Sequence, residues 1–172
     1  VLTYRIAYML EQNISPWNIL ALTFTNKAAT EMQERIFKLI GNNNAKAVQM
    51  GTFHSVFLRI LRTEAERIGF HRDITVYDTD DSKSLLRNIV KEMSLDPKVY
   101  VVNYILNRIS AAKSNLMSDV DYANSEDAIA FDRQSGKPLI SDIYTRYNHR
   151  LHNSNAMDFD DLLVYTYILF RD

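Results

Sequence analysis

Two short segments carry the side chains with the most chemistry to offer. In Thr23-Phe24-Thr25-Asn26-Lys27 an apolar run that starts at Ile19 ends on an aromatic ring, then continues into a hydroxyl, an amide and an ammonium group. In Gly51-Thr52-Phe53-His54-Ser55 a second short apolar run ends on hydroxyls and an imidazole. An exposed ring can stack on a nucleic-acid base, worth ~1–3 kcal/mol without sequence preference. Hydroxyl, amide and ammonium groups contact phosphates, which position a strand but read no sequence. Each segment follows a strand-like run and opens a helical pattern. That places the groups at the carboxyl edge of an open α/β sheet, where such folds bind ligands, beside helix N-termini whose free N–H groups favour phosphate. The same residues have structural readings: Phe24 as a core aromatic, Thr25 or Asn26 as a helix cap, Lys27 as a solvated cation, His54 as part of a helix start. From spacing alone both readings stay open.

A third cluster, Asp158-Phe159-Asp160-Asp161, groups three carboxylates within four residues. At a helix start this is the pattern of capping and favourable dipole interaction, and capping is preferred here to a metal site. His149 and His152 could share a metal only if carboxylates converged on them. The glycine pattern is informative by what it omits. A phosphate loop of the form G-x-x-x-x-G-K-[ST] needs closely spaced glycines, whereas this chain has only Gly41, Gly51, Gly69 and Gly136, and Gly136-Lys137 runs into Pro138. No apolar strand finishes in Asp-Glu. These 172 residues are therefore expected to hydrolyse no nucleotide by themselves.

The elements that must position these groups can be read from periodicity. Leu2, Ile6, Met9 and Leu10 recur at helical spacing, Pro16 interrupts, and Ile19 to Phe24 reads as a strand covered on both faces. Ala28, Met32, Ile36, Leu39 and Ile40 share a helix face, with Thr25 or Asn26 as cap and Gly41 as stop. Asn42 to Asn44 reads as a polar turn, 47–50 as a second strand, and Phe53 to Ile68 as a helix ended by Gly69. Ile74 to Tyr77 is a further extended stretch. Beyond it the pattern turns helical: a helix through Met93 with N-caps offered by Asp78 to Asp81, a helix starting at Asp96-Pro97 and running to about Asn115, a short helix with loop in 118–135, Pro138 to His152, and Asp158 to Phe170. No strand is expected after about residue 78. Alternating strand and helix followed by helices alone predicts a parallel sheet joined to an all-helical part.

At 172 residues, 47% apolar and 24% charged, the chain can bury a core and build one or two domains. It contains no apolar run of about 18 residues, no signal-peptide pattern and no cysteine, which points to a cytoplasmic protein without a membrane segment. The net charge of −1 conceals an asymmetry: residues 1–72 hold nine Lys/Arg against five Glu, a balance of +4, and the rest hold 11 against 16, a balance of −5. The first part is the more plausible polyanion face.

Taken together, the motifs resemble one family. Thr23-Phe24-Thr25-Asn26-Lys27-Ala28-Ala29 resembles motif Ia of the UvrD/PcrA/Rep-type superfamily 1 DNA helicases, and Gly51-Thr52-Phe53-His54-Ser55 resembles their motif Ib. Leu2-Thr3-Tyr4-Arg5-Ile6-Ala7-Tyr8 is similar to the helix that follows their Walker A loop. Ile109-Ser110-Ala111-Ala112-Lys113 and Asp158-Phe159-Asp160-Asp161-Leu162 match further signatures, in order, in an inserted helical subdomain and on return from it. The resemblance implies an ATP-driven 3′-to-5′ DNA-unwinding motor of repair and replication. It implies an α/β fold, mostly helical overall, in which a partial RecA-like (P-loop NTPase) motor domain over 1–74 is interrupted by a helical subdomain over 75–156, with 157–172 as the return helix. Carried over by position, Thr23, Phe24, Thr25, Asn26, Lys27, Thr52, His54, Ser55 and Lys113 would touch DNA, Phe24 by stacking. ATP and Mg2+ would serve the parent protein, with neither expected on this stretch, since the Walker A loop would lie just before Val1 and the Asp-Glu motif just after Asp172. The implied partners are single-stranded DNA and single-strand/duplex junctions. Strands that would flank the visible pair are absent, so exposed apolar faces and self-association are expected of the motor part, and the helical part should be the better packed. Two other readings are a non-catalytic helical protein-interaction module, presenting tyrosines such as Tyr77, Tyr100 and Tyr104, and the motor part of a helicase-nuclease.

Overall fold

A computed structural model describes residues 1–41 and 47–171; the turn expected at Asn42 to Asn44 lies outside the described residues. The chain forms two compact units, Val1–Ile60 and Leu61–Asp172.

In the first unit, helix α1 (Leu2–Glu11) leads through a single 3-10 turn at Pro16–Asn18 into strand β1 (Leu20–Thr23), helix α2 (Asn26–Ile40), strand β2 (Gln49–Thr52) and helix α3 (Phe53–Thr63), within which the unit boundary falls. The strands pair in parallel, Leu20 opposite Gln49 through Thr23 opposite Thr52. A parallel pair needs a crossover, and α2 supplies it. The side chains of Ile6, Ile19, Ala21, Met32, Ile36, Val48 and Met50 form the core of this unit. Helix α2 starts where expected because Thr25, in extended conformation, accepts the Ala28 N–H through its hydroxyl at 3.1 Å. It stops at Gly41, whose φ of 80° is open to glycine without a Cβ clash.

Two expectations are corrected here. The second strand is displaced from 47–50 to Gln49–Thr52, because pairing with β1 runs on to Thr23 and draws Gly51 and Thr52 into the ladder. β1 is not covered on both faces, for Leu20 is 49% exposed. Apolar residues of α1 are also exposed, among them Leu2, Tyr4 and Tyr8, as is Trp17.

The second unit is helical except for one short ladder. Its elements are a 3-10 turn at Ala65–Ile68, β3 (Thr75–Val76), α4 (Thr79–Glu92), α5 (Val102–Ser114), α6 (Asp119–Asn124), α7 (Glu126–Gln134), α8 (Ile140–Asn153), β4 (Ala156–Met157) and α9 (Phe159–Arg171). Its core includes Leu86, Ile89, Ile105, Ile109, Ile140, Ile143, Tyr144, Tyr147 and Leu151. α4 begins on a capping box in which the Asp78 carboxylate accepts the Asp81 N–H while Asp81 accepts the Asp78 N–H. An ion pair between Arg150 and Glu92 joins α8 to α4.

Four helical expectations change in this unit. The helix expected over Phe53 to Ile68 breaks after Thr63, and its last part is the 3-10 turn before Gly69, which adopts φ 78°. Asp96-Pro97 starts no long helix: the Asp96 carboxylate accepts the Lys98 N–H and its carbonyl accepts those of Val99 and Tyr100, closing a single turn. Tyr100 is then buried and Val101 is extended, so α5 begins only at Val102. The stretch 118–135 holds two helices, capped by Ser118 and Ser125. Finally, a strand does follow residue 78. β4 pairs in parallel with β3, Thr75 opposite Ala156 and Val76 opposite Met157, and two residues are too few to show a period in sequence. Asn155 secures this ladder, its side chain accepting the His71 N–H at 2.8 Å and donating to Asp73 at 3.0 Å.

Candidate nucleic-acid interface

Parallel pairing in register brings the two sequence segments together. Thr23 and Thr52 are the last, mutually paired residues of β1 and β2, so Phe24 and Phe53 leave the sheet side by side at its carboxyl edge. The Phe24 ring is 88% exposed, which excludes the core reading. Its centroid lies 5.3 Å from that of Phe53 at an interplanar angle of 39°, and Phe53 in turn meets Phe57 edge-on at 5.8 Å.

Two helices begin at this edge. At α2 the Thr25 hydroxyl is engaged as the cap, while the first-turn amides of Asn26 and Lys27 have no carbonyl within the helix to bond. Asn26 and Lys27 are exposed, and Lys27 takes part in no ion pair among the described residues. At α3 the Thr52 hydroxyl accepts the Ser55 N–H at 3.2 Å and donates to the Ser55 hydroxyl at 2.9 Å, which donates onward to the Thr52 carbonyl at 3.0 Å. Thr52 is buried and its hydroxyl is engaged in this local ring of bonds, which shapes the loop. Ser55 is exposed and His54 half-buried. Arg59 ties α3 back to β2 through a 2.6 Å bond to Gln49.

Gly51 makes the tight junction possible. A Cβ there would meet Ser55 Oγ at 2.7 Å and Val56 Cγ2 at 2.9 Å, closer than side chains approach. Gly51→Ala is therefore expected to cost about 1–3 kcal/mol by overpacking and to push Ser55 off Thr52. Urea unfolding of the variant beside the parent chain checks this, and a loss under about 0.5 kcal/mol would contradict it.

The remaining candidate is Lys113. It lies in the second unit, at the end of α5, and is 3% exposed. Its ammonium group sits 2.7 Å from both Asp158 and Asp161, over the Tyr147 ring at 5.1 Å. Asp158 and Asp161 also cap α9 reciprocally, each accepting the other's backbone N–H, at 3.1 and 2.8 Å, and Tyr147 donates to Asp158 at 2.9 Å. Capping at this acidic cluster is thus what the structure shows, with a buried lysine added. Burial alone would lower the Lys113 pKa, but the two carboxylates more than offset it and hold it above the usual lysine range. Burial pushes Asp161 up to about 6 against the pull of Lys113, with Asp158 adding its repulsion. His152 packs on Phe70 at 4.9 Å, and no group of three metal-ligating side chains occurs among the described residues.

Sequence reasoning overlooked two things. Phe53 occupies the place after Thr52 that Phe24 occupies after Thr23, a correspondence visible once the strands are paired. The contact of Lys113 with residues 45 positions away has no local signal.

The sequence matches the family model described as "UvrD/REP helicase N-terminal domain" over residues 1–172. It is similar to "ATP-dependent DNA helicase PcrA" of Staphylococcus aureus (strain NCTC 8325 / PS 47), 41% identical over 172 residues, covering 99% of this chain and 23% of that protein. The protein of the same name from Bacillus subtilis (strain 168) is 42% identical over 171 residues, 99% of this chain and 22% of its own length. That from Leuconostoc citreum is 38% identical over 172 residues, with 99% and 22% covered. The chain spans less than a quarter of the length of these relatives. Among the described residues no helix is long and apolar enough to cross a membrane.

Proposed function

This chain belongs to the UvrD/REP helicase family, matched as its N-terminal domain, and from that premise we propose that it is part of an ATP-driven 3′-to-5′ DNA-unwinding motor and carries one part of that motor's single-strand track. Residues 1–74 form part of a RecA-like motor domain, 75–156 a helical insertion, and 157–172 the return into the motor. Thr23, Phe24, Thr25, Asn26, Lys27, Thr52, His54 and Ser55 line the track, at a junction between single strand and duplex. Phe24 stacks on a base, the first-turn amides of α2 and Lys27 hold phosphate, and Thr52 and Ser55 shape the second loop. Lys113 fixes the start of α9 through Asp158 and Asp161.

One observation carries this reading: the in-register pairing of Thr23 with Thr52 sets an exposed ring and two helix N-termini at one sheet edge. ATP and Mg2+ serve the motor of which this chain is proposed to be a part. Because this stretch contains no G-x-x-x-x-G-K-[ST] sequence, the 172-residue chain alone hydrolyses no ATP.

The test is fluorescence anisotropy of the 172-residue chain with a labelled oligo-dT. Each phosphate contact on a single strand contributes about −0.7 to the slope of log K against log salt. Two or three contacts predict a loss of about 30- to 100-fold in affinity between about 20 and 200 mM salt. ATP with Mg2+ should leave that affinity unchanged. Binding that is absent at low salt, or indifferent to salt, would sink the proposal.

A further inference from the structure

We infer that Phe53 is a positioning residue that holds the Phe24 ring in the orientation a base needs for stacking; the inference rests on the DNA-track reading above. A ring as exposed as Phe24 has few neighbours to choose its rotamer, and a freely turning ring loses that freedom when a base stacks on it. Phe53 removes part of this cost in advance. The ladder register places it beside Phe24, and the rings touch at 5.3 Å in a tilted arrangement. Phe53 is half-buried and braced in turn by Phe57, one helical turn further along α3, through an edge-to-face contact at 5.8 Å. Two half-buried rings, Phe57 and Phe53, thus support one exposed ring, Phe24, and all lie within the first unit. Such a series favours any base, purine or pyrimidine, because it offers a π-face and no hydrogen-bonding edge.

Two measurements on the 172-residue chain test this. With 4-fluorophenylalanine placed at position 24, the fluorine resonance of the free protein should shift and narrow in Phe53→Leu and return in Phe53→Tyr, which restores a ring. With oligo-dT, Phe53→Leu should weaken binding about 2- to 10-fold, Phe53→Tyr should bind like the parent, and Phe53→Leu should add nothing to a Phe24→Ala chain. Phe57→Leu, which disturbs only the brace, should move the fluorine signal in the same direction by less, and serves if Phe53→Leu fails to keep the parent circular-dichroism spectrum. An unchanged fluorine signal in Phe53→Leu, or an equal loss of affinity with and without the Phe24 ring, overturns the inference. If Phe24→Ala itself leaves oligo-dT binding intact, the track reading fails, while the fluorine comparison still decides whether Phe53 orients the ring.

Discussion

Lys113→Met is expected to destabilise the chain by about 3–5 kcal/mol at neutral pH, because breaking a buried pair leaves uncompensated charge. In the parent chain one ammonium group faces two carboxylates at 2.7 Å, all three side chains being less than a tenth exposed. Methionine fills similar volume but leaves Asp158 and Asp161 facing each other, with Tyr147 the neighbouring donor. The loss should depend on pH in a definite direction. Asp161 is raised from 3.8 to about 6, so the folded state holds this proton more tightly than the unfolded state does. Its contribution is fully present below the unfolded value and is lost as pH rises through about 6, a difference on the order of 3 kcal/mol. Without Lys113, Asp161 should protonate at still higher pH, so part of the destabilisation should be absent at about pH 5, where Asp161 is already protonated. Comparing urea unfolding of variant and parent at about pH 5 and pH 7.5 cancels the contribution of other carboxylates. A loss below about 1 kcal/mol at the higher pH, or one that ignores pH, would show that the cluster is not the strut described.

Phe24→Ala is expected to weaken oligo-dT binding by about 1–3 kcal/mol, roughly 5- to 150-fold, with little dependence on base identity. Fold stability should change by less than about 0.5 kcal/mol, since the ring is 88% exposed and contributes little to the core. The salt slope should stay as in the parent, because a lost stacking contact releases no counterion. This separates the ring's contribution from that proposed for Lys27 and the α2 amides on phosphate. Unchanged affinity at low salt would remove Phe24 from the binding surface.

The local choices were legible because they rest on short-range physics. A cap at Thr25 or Asn26, the Gly41 stop, a cap among Asp78 to Asp81 and the apolar face of α2 are decided within a turn or two of chain, by which side chain can reach a free N–H and which backbone angles glycine allows. The same holds for Asp158 and Asp161 as caps of α9. Legibility failed where a short segment takes its state from a distant partner. β4 exists because β3 lies beside it, and the residues after Asp96 leave the helix because Tyr100 is buried in a core assembled from four other helices.

For function the division is similar. The residue types at 23–27 and 51–55 by themselves pointed to a sheet edge carrying rings and polar groups and, with the further motifs, to a resemblance to the family. Only the tertiary structure excluded the core reading of Phe24, since exposure is a property of what packs around a ring and not of the ring. It likewise set Phe53 against Phe24 and buried Lys113 against Asp158 and Asp161. Both follow from contacts between residues far apart in sequence, whose energies depend on register and burial, and neither register nor burial is written in spacing alone.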